Sequence, residues 1–244
     1  MFLTPRYGMI RLVEELARRM LEVEIKTNSA ELGIEKMPKG NWHLRTRQGD
    51  LLEADAVCLA LPAYQCATLL KTLSPEAARE LEGIPYESAA TVTMAFGEAD
   101  LPVPFGGFGF VVSPQRSGGV IGCTFSSIKF AHRAPAGTVL LRAFVGGALA
   151  PDAVSKETPV LESSVRALLK ETLHLAAAPR TSVVHRYPRS MPQYHVGHLQ
   201  RVDRIEKELA KLPGLALTGN WMRGVGIPHC IHEAERVAES LARK

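Results

Sequence analysis

A chain of 244 residues, 46% hydrophobic and 22% charged, can bury a sizeable core as one large domain or two small ones. Its net charge, 29 − 25 = +4, is scattered and aromatics make up only 6%, so nothing resembles a nucleic-acid-binding stripe. No apolar run reaches transmembrane length, and no charged start with an apolar stretch marks a secretory signal, so the expectation is a cytoplasmic protein with peripheral membrane contact left open.

In chain order, a short apolar start (Met1 to Pro5) and Tyr7-Gly8-Met9 lead into an amphipathic helix ending near Met20. Ile10, Val13, Leu16, Ala17 and Met20 share one face of it. Strands are expected at Val23 to Thr27 and Leu32 to Lys36, and a hairpin joins Trp42–Arg47 to Leu51–Ala54 through Gln48-Gly49-Asp50. The continuous apolar run Ala56 to Leu61, closed by Pro62, suits a strand buried on both faces of a parallel sheet. Two short helices follow, Ala63 to Leu73 and Pro75 to Leu81, the second with Ser74 as N-cap.

After Pro85 the texture changes to alternating small and β-branched residues with many Gly and Pro. Strands are expected at Ala89–Phe96, Gly107–Val112, Gly119–Phe125 and Val139–Gly147, with Ser126–Gly137 as a loop. A helix over Thr158–Ala177, a strand over Val183–Tyr187, a loop over Ser190–Gly197 and a charged helix over Leu199–Leu212 complete this stretch. Last comes a strand-turn-helix corner. Leu215 to Thr218 is extended, Gly219, Gly224 and Gly226 lie in the turn, and a helix runs to about Arg243. Ile231, Ala234, Val237, Ala238 and Leu241 keep its 3.6-residue period, and Pro228 sits near its first turn, where a missing N–H costs least. Such a corner offers backbone N–H groups to an electron-rich ligand, although it also arises for steric reasons alone. The mostly antiparallel middle between outer segments that return to one layer suggests two interleaved domains.

Of four cysteines, none forms a C-x-x-C pair or a zinc spacing, and three lie in apolar stretches as small buried hydrophobes. His195 and His198, three apart, are completed by no metal-ligand pattern. Trp42 and Trp221 read as packing residues. No catalytic Ser/His/Asp or Cys/His set is evident.

Seven pieces in order carry a resemblance. They are Tyr7-Gly8-Met9 with its helix; Ala54-Asp-Ala-Val-Cys-Leu-Ala-Leu-Pro62; Gly107-Phe-Gly-Phe-Val-Val; and Phe125-Ser-Ser-Ile-Lys-Phe-Ala-His-Arg-Ala-Pro135. Phe144-Val-Gly-Gly147, Met191-Pro-Gln-Tyr-His-Val-Gly-His198 and Thr218-Gly-Asn-Trp-Met-Arg-Gly-Val-Gly-Ile-Pro-His-Cys-Ile231 follow. Together they resemble the C-terminal part of an oxygen-dependent protoporphyrinogen oxidase, a flavoprotein of the monoamine-oxidase-like superfamily. The resemblance implies a mixed α/β and α+β fold. Residues 1–84 and 185–244 would form part of an FAD-binding (GR2-type) domain, interleaved with an antiparallel-sheet substrate-binding domain at 85–184. It implies FAD as cofactor and oxidation of protoporphyrinogen IX or coproporphyrinogen III, with O₂ reduced to hydrogen peroxide, in heme biosynthesis.

By the family pattern, Val225, Gly226 and Ile227 would lie against the flavin ring, with Gly219 in the same corner. Ala30 falls where the family presents a β-branched residue whose backbone meets the adenine. Phe144, Val111 and Thr124 fall at the apolar clamp on the tetrapyrrole, Thr124 bringing a hydroxyl where an aliphatic side chain is usual. Leu199 stands where the family often has Trp, and reads as core packing. Arg133 and Arg223 are candidate partners for substrate carboxylates, though loop arginines in solvent or on backbone carbonyls are the preferred reading. The family's G-x-G-x-x-G is absent from the sequence. The expectation is therefore a fragment, or a split subunit whose N-terminal FAD-binding segment comes from a partner chain. Other flavin amine oxidases or desaturases, and a non-enzymatic tetrapyrrole- or partner-binding domain, remain alternatives.

Overall fold

A computed structural model describes residues 3–102, 105–113 and 118–242, without the side chains of Glu31 and Leu32. It divides into two compact units, each assembled from two stretches of chain. One runs to Glu24 and resumes from Glu87 to Met191; the other runs from Ile25 to Tyr86 and resumes at Pro192. The expected division placed residues up to 84 together, whereas here those up to Glu24 go with the central stretch.

The first unit holds α1 (Ile10–Arg19), then a five-stranded sheet of β5 (Tyr86–Gly97), β6 (Gly109–Val111), β7 (Val120–Phe125), β8 (Thr138–Gly146) and β9 (Thr181–Pro192). The strands lie in the order β6-β7-β8-β5-β9, and β6–β7, β7–β8 and β8–β5 pair antiparallel. Period-2 alternation sends Val139, Leu141, Ala143 and Val145 of β8 inward. They meet Val92, Met94 and Phe96 of β5 and Leu161, Val165 and Leu169 of α5 (Thr158–Leu173) in one core. This sheet follows the expected pattern. Two details differ. The stretch after β7 is not all loop, because Ser126–Lys129 makes one helical turn, α4. And α5 ends at Leu173 rather than near Ala177, because His174 takes a left-handed φ of 54°.

The second unit holds the hairpin sheet β1 (Glu31–Lys36), β2 (Trp42–Thr46) and β3 (Leu51–Ala54), and a parallel pair of β4 (Val57–Leu59) with β10 (Leu215–Leu217). Helices α2 (Ala63–Leu70), α3 (Pro75–Glu82), α6 (His198–Leu209) and α7 (Ile227–Ala242) complete it. Ser74 caps α3 by accepting from Ala77 N–H at 3.3 Å. Glu80 of α3 receives Arg204 of α6 at 2.7 Å and Arg201 at 3.1 Å. The core gathers Trp42, Leu59, Leu70, Leu81, Ile205 and Trp221. Both tryptophans are fully buried, and Trp221 Nε1–H donates to Leu61 O at 3.0 Å.

Several expectations are corrected. Val23–Thr27 forms no strand. β4 is not buried on both faces, since Cys58 between buried Val57 and Leu59 is exposed. Only Cys66 and Cys123 are fully buried, and burial pushes both thiols up to about 12. The apolar face of α1 contributes no buried residue. On α7 only Glu233 and Val237 are buried, while Ile231, Ala234 and Ala238 of the expected apolar stripe are exposed. Arg243 lies outside the described residues. Among those residues, no helix is long and apolar enough to cross a membrane.

Candidate functional site

The alternation that buries one face of the five-stranded sheet leaves the other open, and Arg142 and Phe144 of β8 stand on it. Register fixes their neighbours. Phe144 pairs with Gly122 of β7, which pairs with Val111 of β6. One step along, Arg142 pairs with Thr124, which pairs with Gly109. Residues directly opposite in an antiparallel ladder share a face, so Val111, Thr124 and Phe144 stand on one side of three adjacent strands. Gly122 sits between Val111 and Phe144 because there is no room for more. A Cβ there would come 2.6 Å from Phe110 O.

Above this face is a cavity of 510 Å³. Thr124 and Phe144 line it, together with Leu3 and Met9 from the start of the chain and Lys129 and Phe130 from the α4 region. Val111, 86% exposed, shares the sheet face without lining the cavity. Arg133 also reaches it. Its Nη2 donates to Pro5 O at 3.1 Å and to Thr4 Oγ1, and its guanidinium lies over the Phe130 ring at 5.9 Å. Arg133 thus ties the start of the chain to the loop after α4. The volume falls in the range that holds drug-sized ligands.

In the second unit, β10 delivers the chain into the Gly219–Gly226 turn and then α7. Thr218 N donates to Leu59 O, extending the parallel ladder into the turn. Tyr194 Oη–H donates to Asn220 O, and His198 Nε2–H donates to Met222 O at 2.9 Å. Tyr194 and His198 stack at 4.1 Å, so one aromatic pair braces two carbonyls of the turn. Sequence reasoning considered His198 only as a metal ligand. Its signal as a brace was its place beside Tyr194, which spacing alone does not reveal.

None of Gly219, Gly224 and Gly226 has positive φ. Gly219 and Gly224 are required by close approach instead. A Cβ on Gly219 would come 2.7 Å from Trp221 Nε1, and one on Gly224 would come 2.5 Å from the His229 ring. Val225 and Ile227 are 60% and 47% exposed. The helix bond from Cys230 N to Gly226 O spans 3.0 Å. The N–H groups of Val225, Gly226 and Ile227 lie at or before the first turn, the positions an α-helix leaves without an intrahelical acceptor. An exposed turn of backbone donors at a helix start suits an electron-rich ligand edge. Nothing in this turn repeats the Gly-rich spacing that grips a dinucleotide pyrophosphate.

The other singled-out residues fall elsewhere. Ala30 is exposed, and its carbonyl accepts from Arg47 N at 2.8 Å, so its oxygen is already engaged at the edge of the hairpin sheet. Leu199 is 56% exposed and is not a core residue. Arg223 is committed to carboxylates, with Glu206 at 2.7 Å and Glu233 at 3.5 Å. Hydrogen bonding to Glu206 raises the Arg223 pKa further. Arg142 and Lys129, which line the cavity, were not singled out by the sequence. Alternation made Arg142 look like an ordinary solvated position.

The model of a protein family described as flavin containing amine oxidoreductase matches residues 2–242. The coproporphyrinogen III oxidase of Bacillus subtilis (strain 168) is 32% identical over 237 residues, covering 96% of this chain and 49% of that protein. The chloroplastic protoporphyrinogen oxidase of Nicotiana tabacum is 29% identical, over 95% of this chain and 45% of its own. The chain therefore spans about half the length of the relatives it matches. A crystal structure from Exiguobacterium sp. 255-15, of a protein assigned to the protoporphyrinogen oxidases, superposes with a TM-score of 0.89 at 32% identity, over 98% of this chain and 52% of that one. Cyclohexylamine oxidase from Brevibacterium oxydans IH-35A shares the fold with a TM-score of 0.75 at 13% identity, over 97% of this chain and 52% of that one.

Proposed function

The chain belongs to the flavin-containing amine oxidoreductase family, and from that premise we propose that it is the substrate-side half of a flavin-dependent porphyrinogen oxidase acting in heme biosynthesis. The observation that carries the reading is the open sheet face, where Val111, Thr124 and Phe144 stand together beside the 510 Å³ cavity. The names of the relatives supply the substrate class, protoporphyrinogen or coproporphyrinogen III.

When bound, FAD would supply the redox chemistry, accepting a hydride equivalent from the macrocycle and passing two electrons to O₂ to give hydrogen peroxide. The chain's own residues would bind and orient. Phe144 would stack on a pyrrole, and Val111 and Thr124 would bound the same face. The Val225–Ile227 backbone would place N–H donors where the ring edge gains negative charge.

The test is porphyrinogen-dependent oxygen uptake by the chain with FAD, combined with the amino-terminal half of the Bacillus subtilis relative. Uptake is expected, and Phe144→Ala is expected to lower kcat/KM roughly tenfold, as the loss of one stacked ring of about 0.5–1.5 kcal/mol. A flavin-loaded complex that oxidises amines and leaves porphyrinogens untouched would sink the reading.

A further inference from the structure

The cavity beside Phe144 carries more charge than a pocket for an apolar ring requires. Lys129, Arg133 and Arg142 all line it, and among the described residues no carboxylate does. Lys129 ends α4 and Arg133 follows four residues later in the loop, while the pairing of β8 with β7 brings Arg142 to the same face. Arg133 spends Nη2 on Thr4 and Pro5. Arg142 is different. Its Nε–H donates to Thr93 Oγ1 on β5 at 3.2 Å, which fixes the plane of the guanidinium. Its four terminal N–H groups make no hydrogen bond or ion pair among the described residues. A guanidinium held at Nε presents its remaining donors as a fork that matches one carboxylate in a bidentate pair. Phe144 lies two residues along the same strand face, so fork and ring stand side by side.

Resting on the porphyrinogen reading, we propose that Arg142, seconded by Lys129, is a carboxylate clamp that selects tetrapyrroles by the number of carboxylate side chains they carry. A flat apolar body against Phe144 with an anionic edge toward the cations satisfies both halves of the lining. The chain then prefers a four-carboxylate tetrapyrrole over a two-carboxylate one. Arg133 adds charge, and its own position is set by the start of the chain.

The test is fluorescence titration of the chain with three porphyrins: coproporphyrin III (four carboxylates), mesoporphyrin IX (two), and coproporphyrin tetramethyl ester (none). Affinity should fall in that order, and the preference should shrink as salt rises, because charge–charge attraction is screened. Arg142→Gln should weaken coproporphyrin binding roughly tenfold, the loss of one charge-assisted pair, and leave the ester unaffected. Arg142→Lys should fall between, keeping charge and losing the fork. Lys129→Gln should act in the same direction more weakly. Arg142 is exposed, so these variants are expected to keep the fold, which circular dichroism checks. Binding that ignores carboxylate count, or an unaltered Arg142→Gln, would overturn the clamp and leave the porphyrinogen reading standing. Failure of all three porphyrins to bind would overturn both.

Discussion

Glu233 holds a carboxylate inside its unit with only 5% of the side chain exposed. Two cations make that tolerable, Arg236 at 3.0 Å and Arg223 at 3.5 Å, and Glu206 takes both arginines at 2.7 Å. Stripping a buried ion of its partners costs about 3–5 kcal/mol. Replacing Arg223 and Arg236 together by Met should lower the unfolding free energy by that order, read as a shift in the urea midpoint. A change below about 1 kcal/mol would mean that solvent screens the network. The same network sets an acid limit. Burial pushes the Glu206 carboxyl up, but Arg223 and Arg236 outweigh it and hold it low. Hydrogen bonding to Arg204 holds Glu80 low. In the unfolded chain both titrate near ~4.3. As pH falls, the unfolded chain takes up these protons first, so the stabilisation is complete above ~4.3 and is lost as pH drops through the folded values. Thermal melts should fall steeply below about pH 4, and Glu206→Gln should flatten that fall; an unchanged slope would place the acid sensitivity elsewhere. Little of this was legible in the sequence. Glu233 sits in a charged helix face, and its burial follows from Arg223 in the preceding turn. Phe144, Val111 and Thr124 were singled out only through the resemblance, and the strand register places them on one sheet face. Arg142 was hidden because an outward charge on an alternating strand is the ordinary pattern.

At the scale of elements, hydrophobic period found the helices and misjudged what they pack against. A 3.6-residue apolar stripe normally marks a face turned to a core. On α1 the stripe exists, yet Ile10, Val13 and Leu16 are 60%, 59% and 54% exposed. On α7, Ile231 is 47% exposed while charged Glu233 is buried. Period reports that a face is apolar and not which neighbour covers it. The β5–β8 strands, by contrast, were legible because their partners lie within this chain: inward residues of β8 meet α5. The same contrast gives a measurement. Val13→Lys with Leu16→Lys should change the stability of the isolated chain by less than about 0.5 kcal/mol, as surface substitutions do. Leu161→Ala on α5, where the side chain is 1% exposed, should cost about 2–5 kcal/mol. A large loss from the α1 pair would show that its face is covered in solution. Val23–Thr27 is a further lesson: β-branched residues alternate with charge there, yet the segment forms no strand.

For the molecule as a whole, the half-length match and the uncovered faces bear on the same question. The chain spans 49% of the Bacillus subtilis relative and 52% of the Exiguobacterium structure. Each unit has its own core, so each can hold its shape, yet both show apolar helix faces to solvent. The parallel pair β4–β10 leaves Cys58 exposed, although parallel strands are usually covered on both sides. The change in texture after Pro85 suggested interleaved domains, and the chain divides into two units each built from two stretches. The place of the first 24 residues was not, because it depends on contacts such as Arg133 with Pro5, 128 positions apart. These features give an expectation for the flavin. A dinucleotide cofactor draws much of its affinity from a pyrophosphate held on a Gly-rich corner, and the sequence contains no such spacing. In the proposed reading, the Val225–Ile227 turn would offer donors to one end of the ring system only. The chain alone should therefore leave the fluorescence of micromolar FAD unchanged. Mixed with the amino-terminal half of the Bacillus subtilis relative, it should quench that fluorescence and retain flavin through gel filtration. In the mixture Gly226→Val should weaken retention by crowding the ring edge, since a Cβ there already comes 3.2 Å from His229 Nδ1. Tight FAD binding by the chain alone would mean that its own residues hold the pyrophosphate, and the helix start at Ile227 would then have to be reread as part of a complete cofactor site.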